Sequence, residues 1–466
     1  MAFQPTKEQT QAIEAGGCTL LVSAAAGSGK TAVLVERVIR ILTGREPPVP
    51  ADRLLVVTFT KAAAAEMRDR IALRLEEELR KNPGDAWLAR QQLLLSHAAI
   101  GTIDSFCLSL LREYFYKQSI PPDFKVADEG VLHVLEEQAM EELLEDLYQQ
   151  KSPAFLKLIH MLGASYDDQS FQETVRELHR YVMSLPFPEE WLEHAERMYD
   201  APSLSECTWA AAVREDGARA AESAALLLEQ AARSFVFDEK VSAAWGSAFA
   251  DAARQLSVIS RVLKHGGGDE AVIALSSFQF PKRETLKRGY DKEKNDLALA
   301  AKHSAEEIVS SLRRRISAPE AEILETLRQM KEPVRVLTGA VREYGRRLEE
   351  RKLERGVLDF SDVEHKVLDL LLARGENGSL SLTSEAEEIA ARYSEVLVDE
   401  YQDTNALQDR IFHIVSGGGR RLFMVGDAKQ SIYRFRQADP AIFISRRESF
   451  APYRGGEEPS VILLGA

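Results

Sequence analysis

Cysteine is scarce in these 466 residues: Cys18, Cys107 and Cys207 stand far apart and fit no paired spacing. Disulfide frameworks, zinc fingers and iron-sulfur clusters therefore find no support, and reduced, partly buried thiols are expected. The nine histidines are scattered, with no H-E-x-x-H arrangement, so no metal site built from protein ligands alone is expected. Long apolar runs are missing too. No stretch approaches the ~20 residues that a membrane-spanning helix needs, and Met1 to Pro5 has none of the build of a signal peptide. No membrane contact and a cytoplasmic location follow as expectations. Net positive charge is also lacking, the balance of Lys and Arg against Asp and Glu being -14. That excludes coating of nucleic acid by bulk electrostatics, while leaving room for a local basic groove.

What is present suits a soluble globular chain of two or more domains, 45% of it apolar. The first ~110 residues alternate short apolar runs with helical patterns, which predicts a parallel sheet buried on both faces. "CTLLVSAA", "RLLVVTFT" and "HAAIGTI" read as strands, and Thr31 to Leu42 and Lys61 to about Lys81 as helices. From about residue 113 to 355 the text becomes long, charged and amphipathic, with apolar positions every three to four residues. The strand pattern resumes in "SEVLVDE", "RRLFMVGD" and "SVILLGA". The expected fold class is α/β: a P-loop, RecA-like parallel sheet with helices on both faces, interrupted by a large helical domain. Its segments would be 1–112, 113–355 and 356–466.

Three motifs carry chemistry. In "LLVSAAAGSGKTAVLV" a strand runs into Ala26, Gly27, Ser28, Gly29, Lys30 and Thr31 and then a helix, the layout of a phosphate cradle. Ala24 stands where the G-x-x-x-x-G-K-[ST] pattern has its first glycine. Gly27 and Gly29 let backbone N–H groups approach phosphate oxygens, Lys30 would neutralise the β and γ phosphates, and the Thr31 hydroxyl would bind Mg²⁺. In "VLVDEYQDT" Asp399 ends a buried strand, where it can hold Mg²⁺ through water, and Glu400 can polarise an attacking water as general base. In "FMVGDAKQSIYRFRQADP" Gln430 follows a strand end, where an amide could sense the γ-phosphate. Tyr433, Arg434, Phe435 and Arg436 interleave aromatic and basic side chains in the manner of single-stranded nucleic-acid sites.

These motifs in this order resemble the superfamily-one DNA helicases of the UvrD and PcrA type, and the resemblance covers both ends of the chain. It implies further residues. "TKEQTQAI" is similar to the family's glutamine motif, with Gln9 at the adenine-recognising position. "VVTFTKAAAAEMRDRI" resembles the motif that carries single-stranded DNA, which implies Thr58, Phe59 and Thr60 as contacts. "GTIDSFC" resembles the next such motif, implying Thr102 and Ser105, with Asp104 where the family often has histidine. "GVLDFSDVEHKVLDLL" resembles the return from the family's inserted domain. Within the family, "GDAKQSIYRFRQADPAIF" is most similar to the AddA-type helicase-nucleases that process double-strand breaks. That branch implies ATP and Mg²⁺, a single-stranded DNA track with duplex ahead of it, and a heterodimer partner of the AddB type.

The expected second motor domain, with its transition-state arginines, has no counterpart in these residues, nor has a nuclease carboxylate set. Three readings stay open: the amino-terminal motor portion of an AddA-type protein, a truncated UvrD-type repair helicase, or a nucleotide- and DNA-binding module with little hydrolysis of its own. The basic residues Lys282, Arg283, Lys287, Arg288 and Arg313 to Arg315 read first as a solvated helix surface.

Overall fold

A computed structural model describes residues 4–25, 27–44, 48–118, 120–163, 167–375, 377–430 and 437–465. Seven strands form one all-parallel sheet: β1 Leu20–Ala24, β2 Leu54–Val57, β3 Ala99–Gly101, β4 Glu395–Val398, β5 Leu422–Gly426, β6 Ala451–Pro452 and β7 Ser460–Leu464. Their spatial order is β6-β7-β1-β5-β4-β2-β3. Each strand the apolar runs predicted is present, and the sheet is therefore built from both ends of the chain. Because all strands run the same way, every carboxyl end reaches one edge, the edge at which such sheets bind ligands.

Strand periodicity explains the two cores. On one face, Leu21, Leu55, Val57, Val396, Val398 and Met424 pack with Phe106, Val367, Ile411 and Phe443 from the helices Ile103–Glu113, Phe360–Leu371, Ala406–Val415 and Pro440–Ser449. On the other, the alternate residues Leu20, Val22, Leu54, Val56, Leu397 and Val425 pack with Val38, Met67, Ile71 and Leu88 from helices Lys30–Gly44, Lys61–Lys81 and Ala86–Leu94. Successive side chains point to opposite faces, so a strand buried on both needs an uninterrupted apolar run.

The chain divides into two compact units, 1–191 with 339–466, and 192–338. Both limits fall within the long helical stretch, so the helices Glu129–Gln150 and Gln169–Val182 belong with the sheet. In the second unit, Thr208–Ser234, Glu239–His265 and Lys292–Arg315 pack through small residues at helical spacing, among them Ala218, Ala221 and Ala225 against Ala252, Ala301 and Ala305. The Arg313 to Arg315 run is used internally there. Arg313 donates to the Leu275 carbonyl (2.8 Å), Arg314 to Ser310 Oγ (3.0 Å), and Arg315 pairs with Asp216 (2.7 Å). Arg283 lies over the Trp245 ring, while Lys282, Lys287 and Arg288 are exposed. No helix among the described residues is long and apolar enough to cross a membrane.

Candidate nucleotide site at the carboxyl edge of the sheet

The loop after β1 is shaped by two left-handed glycines, Gly27 (φ +77°) and Gly29 (φ +79°), a conformation that costs any side chain with a Cβ. Ala24 needs no such freedom, because it is the last residue of β1 and pairs with Leu464. The helix Lys30–Gly44 starts directly after Gly29, so its unpaired N–H groups face the loop. Ser28 is buried, and its Oγ has no hydrogen-bond partner among the described residues. A buried hydroxyl without a partner is costly, and an acceptor-rich phosphate in the loop would satisfy it. Gln9 closes the loop's outer side: its Nε2 donates to the Ser28 carbonyl (2.9 Å), while its Oε1 accepts from Thr6 N–H (2.8 Å) in a capping box. Ala26 lies outside the described residues.

Lys30 is the centre of the site. Its Nζ donates to Glu400 Oε2 and to Gln430 Oε1, each at 2.8 Å. These partners follow β4 and β5, which lie beside β1 in the order β1-β5-β4. Asp399, the first residue beyond β4, keeps its backbone in line by donating to the Val57 carbonyl (2.9 Å). Burial, reinforced by the neighbouring Glu400 carboxylate, pushes the Asp399 carboxyl up to about 6. Glu400 itself adopts a left-handed backbone (φ +50°), rare for a residue with a side chain and typical of a functional constraint. A cavity of about 640 Å³ opens here, lined by Thr31, Asp399, Glu400, Gln402 and Gln430 together with Thr58, Phe59 and Thr60.

The residues implied for DNA divide differently. Thr58 is buried and donates to the Thr60 carbonyl (3.1 Å), and Thr60 caps the helix Lys61–Lys81 by accepting from Ala63 N–H (3.0 Å). Both, with Phe59, also line a second cavity of about 740 Å³ that reaches Thr102, Asp104, Asp359, Glu364, Gln408 and Gln437. The same three-residue stretch thus borders both cavities, as do Asp399, Glu400 and Asp403. Thr102 caps the helix Ile103–Glu113 through Ser105 N–H (3.2 Å), and Ser105 lines a smaller hollow of about 220 Å³ with Arg68 and Gly101. Tyr433, Arg434, Phe435 and Arg436 lie outside the described residues.

Three features were not read from the sequence. Arg37 is buried on the helix after the loop that holds Gly27 and Gly29, pairs with Glu395 (Nε to Oε1, 2.6 Å), and donates to the carbonyls of Ala12 (2.8 Å) and Ala15 (2.6 Å). Its guanidinium also lies 4.1 Å from the centre of the Phe423 ring. Only a charge amid apolar helix residues hinted at this. Glu364, in the lining of the larger cavity, accepts from Gln408 Nε2 (2.8 Å), and burial together with the Asp104 charge pushes its carboxyl up to about 8. The third is Gln402, which sits inside the "DEYQDT" motif and joins Glu400 to the end of β5.

The description "UvrD/REP helicase N-terminal domain" matches residues 5–451 of this chain. A protein of Acetivibrio thermocellus, named as the A-type subunit of an ATP-dependent helicase/nuclease, is 36% identical over 98% of this chain and 37% of its own length. Proteins with the same name from Pelotomaculum thermopropionicum (37% identical, 99% of this chain, 37% of theirs) and Bacillus licheniformis (38%, 98% and 38%) are similarly related. The chain thus spans a little over a third of the length of these curated relatives.

Proposed function

The chain belongs to the UvrD/REP helicase family, and on that footing we propose that it is the amino-terminal motor portion of an ATP-dependent DNA helicase/nuclease of the AddA type. It binds Mg-ATP at the carboxyl edge of the sheet and single-stranded DNA beside it, and serves recombinational repair of double-strand breaks in the cytoplasm with an AddB-type partner. The observation that carries this reading is Lys30 held between Glu400 and Gln430, residues 370 and 400 positions away in the sequence.

Each group has a task in hydrolysis. The loop N–H groups at Gly27 to Lys30 and the Ser28 hydroxyl bind phosphate oxygens. Lys30, once phosphate competes for it, leaves its two acceptors and neutralises charge on the β and γ phosphates. Thr31 and Asp399 would hold Mg²⁺, which supplies positive charge against the phosphates. Glu400, released from the ammonium, accepts the proton of a water whose oxygen bonds to the γ-phosphorus as the bond to the ADP oxygen breaks. Gln430 reads the presence of the γ-phosphate. Gln9 recognises the base from its place against the loop.

Thr58 to Thr60 line both the nucleotide cavity and the larger one, as do Asp399 and Glu400, which supports a path by which phosphate chemistry reaches the DNA contacts. In this reading a second motor domain supplies transition-state arginines, so these 466 residues assayed by themselves should turn ATP over more slowly than the intact helicase/nuclease. The test is ATP hydrolysis with and without single-stranded DNA, comparing the native chain with Lys30→Ala and Glu400→Gln. Lys30→Ala should abolish turnover, and Glu400→Gln should abolish turnover while still binding a fluorescent ATP analogue. DNA-independent hydrolysis that survives Lys30→Ala would refute the site, and lost nucleotide binding in Glu400→Gln would refute the general-base role.

A further inference from the structure

We infer that Gln402 is a positioning residue for hydrolysis, the fixed link that keeps Glu400 aimed and tied to the loop carrying Gln430 after Lys30 has moved to the phosphates. This rests on the ATP-hydrolysing reading of the site. Gln402 belongs to the one-turn helix Tyr401–Asp403 and is only 1% exposed. Its Nε2 donates to Glu400 Oε2 (2.9 Å) and to Asp403 Oδ2 (3.2 Å). Its Oε1 accepts from the backbone N–H of Asp427 (2.9 Å), the first residue beyond β5.

The bonds close a circuit. From Asp427 the carbonyl accepts from Gln430 N–H (2.9 Å), the Gln430 Oε1 accepts from Lys30 Nζ (2.8 Å), and Lys30 Nζ returns to Glu400 Oε2 (2.8 Å). Two links therefore join the strand-end carboxylate to the loop after β5: Lys30 on the solvent side and Gln402 on the buried side. Phosphate removes the first by drawing Lys30 away. The second borders the same cavity, but Gln402 is only 1% exposed and bonded to protein at both ends, so it survives nucleotide binding, and it is the one that can hold the Glu400 carboxylate to a single direction. An amide is required, because one end must donate to a carboxylate and the other must accept from a backbone N–H.

The approach of β5 is fitted to this side chain. A Cβ built on Gly426 would stand 2.4 Å from Gln402 Oε1, so the strand's last residue leaves the space the amide occupies. Gly426 has no positive φ, and its small size serves contact and not backbone freedom.

The experiment measures single-stranded-DNA-stimulated ATP turnover and binding of a fluorescent ATP analogue in the intact protein that carries this chain. The variants are Gln402→Glu, Gln402→Met and Lys30→Ala. Loss of an aimed catalytic group costs on the order of 10²-fold in rate. Both Gln402 variants should therefore lose about 100-fold in kcat, with the ATP KM and the analogue's affinity changed less than about threefold. Near-isosteric Gln402→Glu cannot donate to Glu400 once its carboxyl is ionised, so assayed at a pH high enough to ionise it, this variant should be as impaired as Gln402→Met. A space-filling role would instead leave Gln402→Glu active and only Gln402→Met impaired, which would overturn the inference. So would a parallel loss of nucleotide affinity and kcat in both. If Gln402→Met does not fold, Gln402→Glu decides alone. Native turnover that persists in Lys30→Ala would sink the nucleotide site itself, a failure legible without any Gln402 variant, whereas Lys30-dependent turnover untouched by Gln402→Glu would sink only the positioning role.

Discussion

Arg37→Met should destabilise the sheet-containing unit by about 3–5 kcal/mol, the loss expected when one member of a buried ion pair is removed. The side chains of Arg37 and Glu395 are only 3% and 5% exposed, so solvent screening relieves little of it. Methionine fills much of the arginine's volume over the Phe423 ring, yet leaves the Glu395 carboxylate without its guanidinium. It also removes the charged donor to the carbonyls of Ala12 and Ala15, which places the loss toward the upper end of that range. The clamp joins the helix that opens with Lys30 to the first residue of β4, four positions before Asp399, so weakening it loosens the two halves of the proposed nucleotide site together. Urea titration with hydrogen exchange read on peptides covering 30–44 and 395–398 gives the magnitude. The double variant Arg37→Met/Glu395→Leu should recover about 2 kcal/mol or more, because no charge is then stranded. A single-variant loss under about 1 kcal/mol, or a double variant whose loss is the sum of the singles, would refute the assignment of a desolvated pair.

Further outcomes follow from named contacts. Glu364 has an ordinary carboxylate value of 4.5 when unfolded and about 8 in the fold, so between those values the folded chain keeps a proton that the unfolded chain releases. Stability therefore falls as pH rises through that window, by up to about 1.4 kcal/mol per pH unit, and levels off above pH 8. Glu364→Gln, which can still accept from Gln408, should match the native chain near pH 4.5 and exceed it increasingly toward pH 8 in thermal melts. Equal melting profiles at both ends would refute the buried neutral carboxyl. Gly29→Ala forces a left-handed alanine at a cost of about 1–2 kcal/mol and brings its Cβ to 3.2 Å from Gln9 Nε2, so the ATP analogue should bind at least tenfold more weakly. Unchanged affinity would show that the loop tolerates another backbone conformation.

Most of the sheet was legible in the sequence because the signals that specify it are local. An apolar run such as Val396 to Val398 is a strand buried on both faces whatever lies elsewhere, and Gly27-Ser28-Gly29-Lys30-Thr31 between a strand and a helix has the geometry of a phosphate loop. The caps were not read there: Thr60 and Thr102 stood only as implied DNA contacts, and the structure shows that each begins a helix with a hydroxyl that satisfies a backbone N–H three residues on. Helical periodicity marked the middle of the chain but not where its helices part company, since an amphipathic face does not name the surface that covers it. The compact units accordingly divide at 191 and 338, inside that periodic stretch.

By itself the sequence determined which residues form strands, and it nominated those proposed to bind phosphate and polarise water. Only the tertiary structure decided which of them meet. Strand order places β5 and β4 beside β1, and no local pattern encodes that order, because every apolar strand is an acceptable neighbour for every other. From it come the contact of Lys30 with Glu400 and Gln430 and the burial of Arg37 against Glu395. Gln402 is the sharpest case: one polar residue in an acidic motif, whose two-ended amide acquires a role only where the turn after β4 packs against Gly426 at the end of β5.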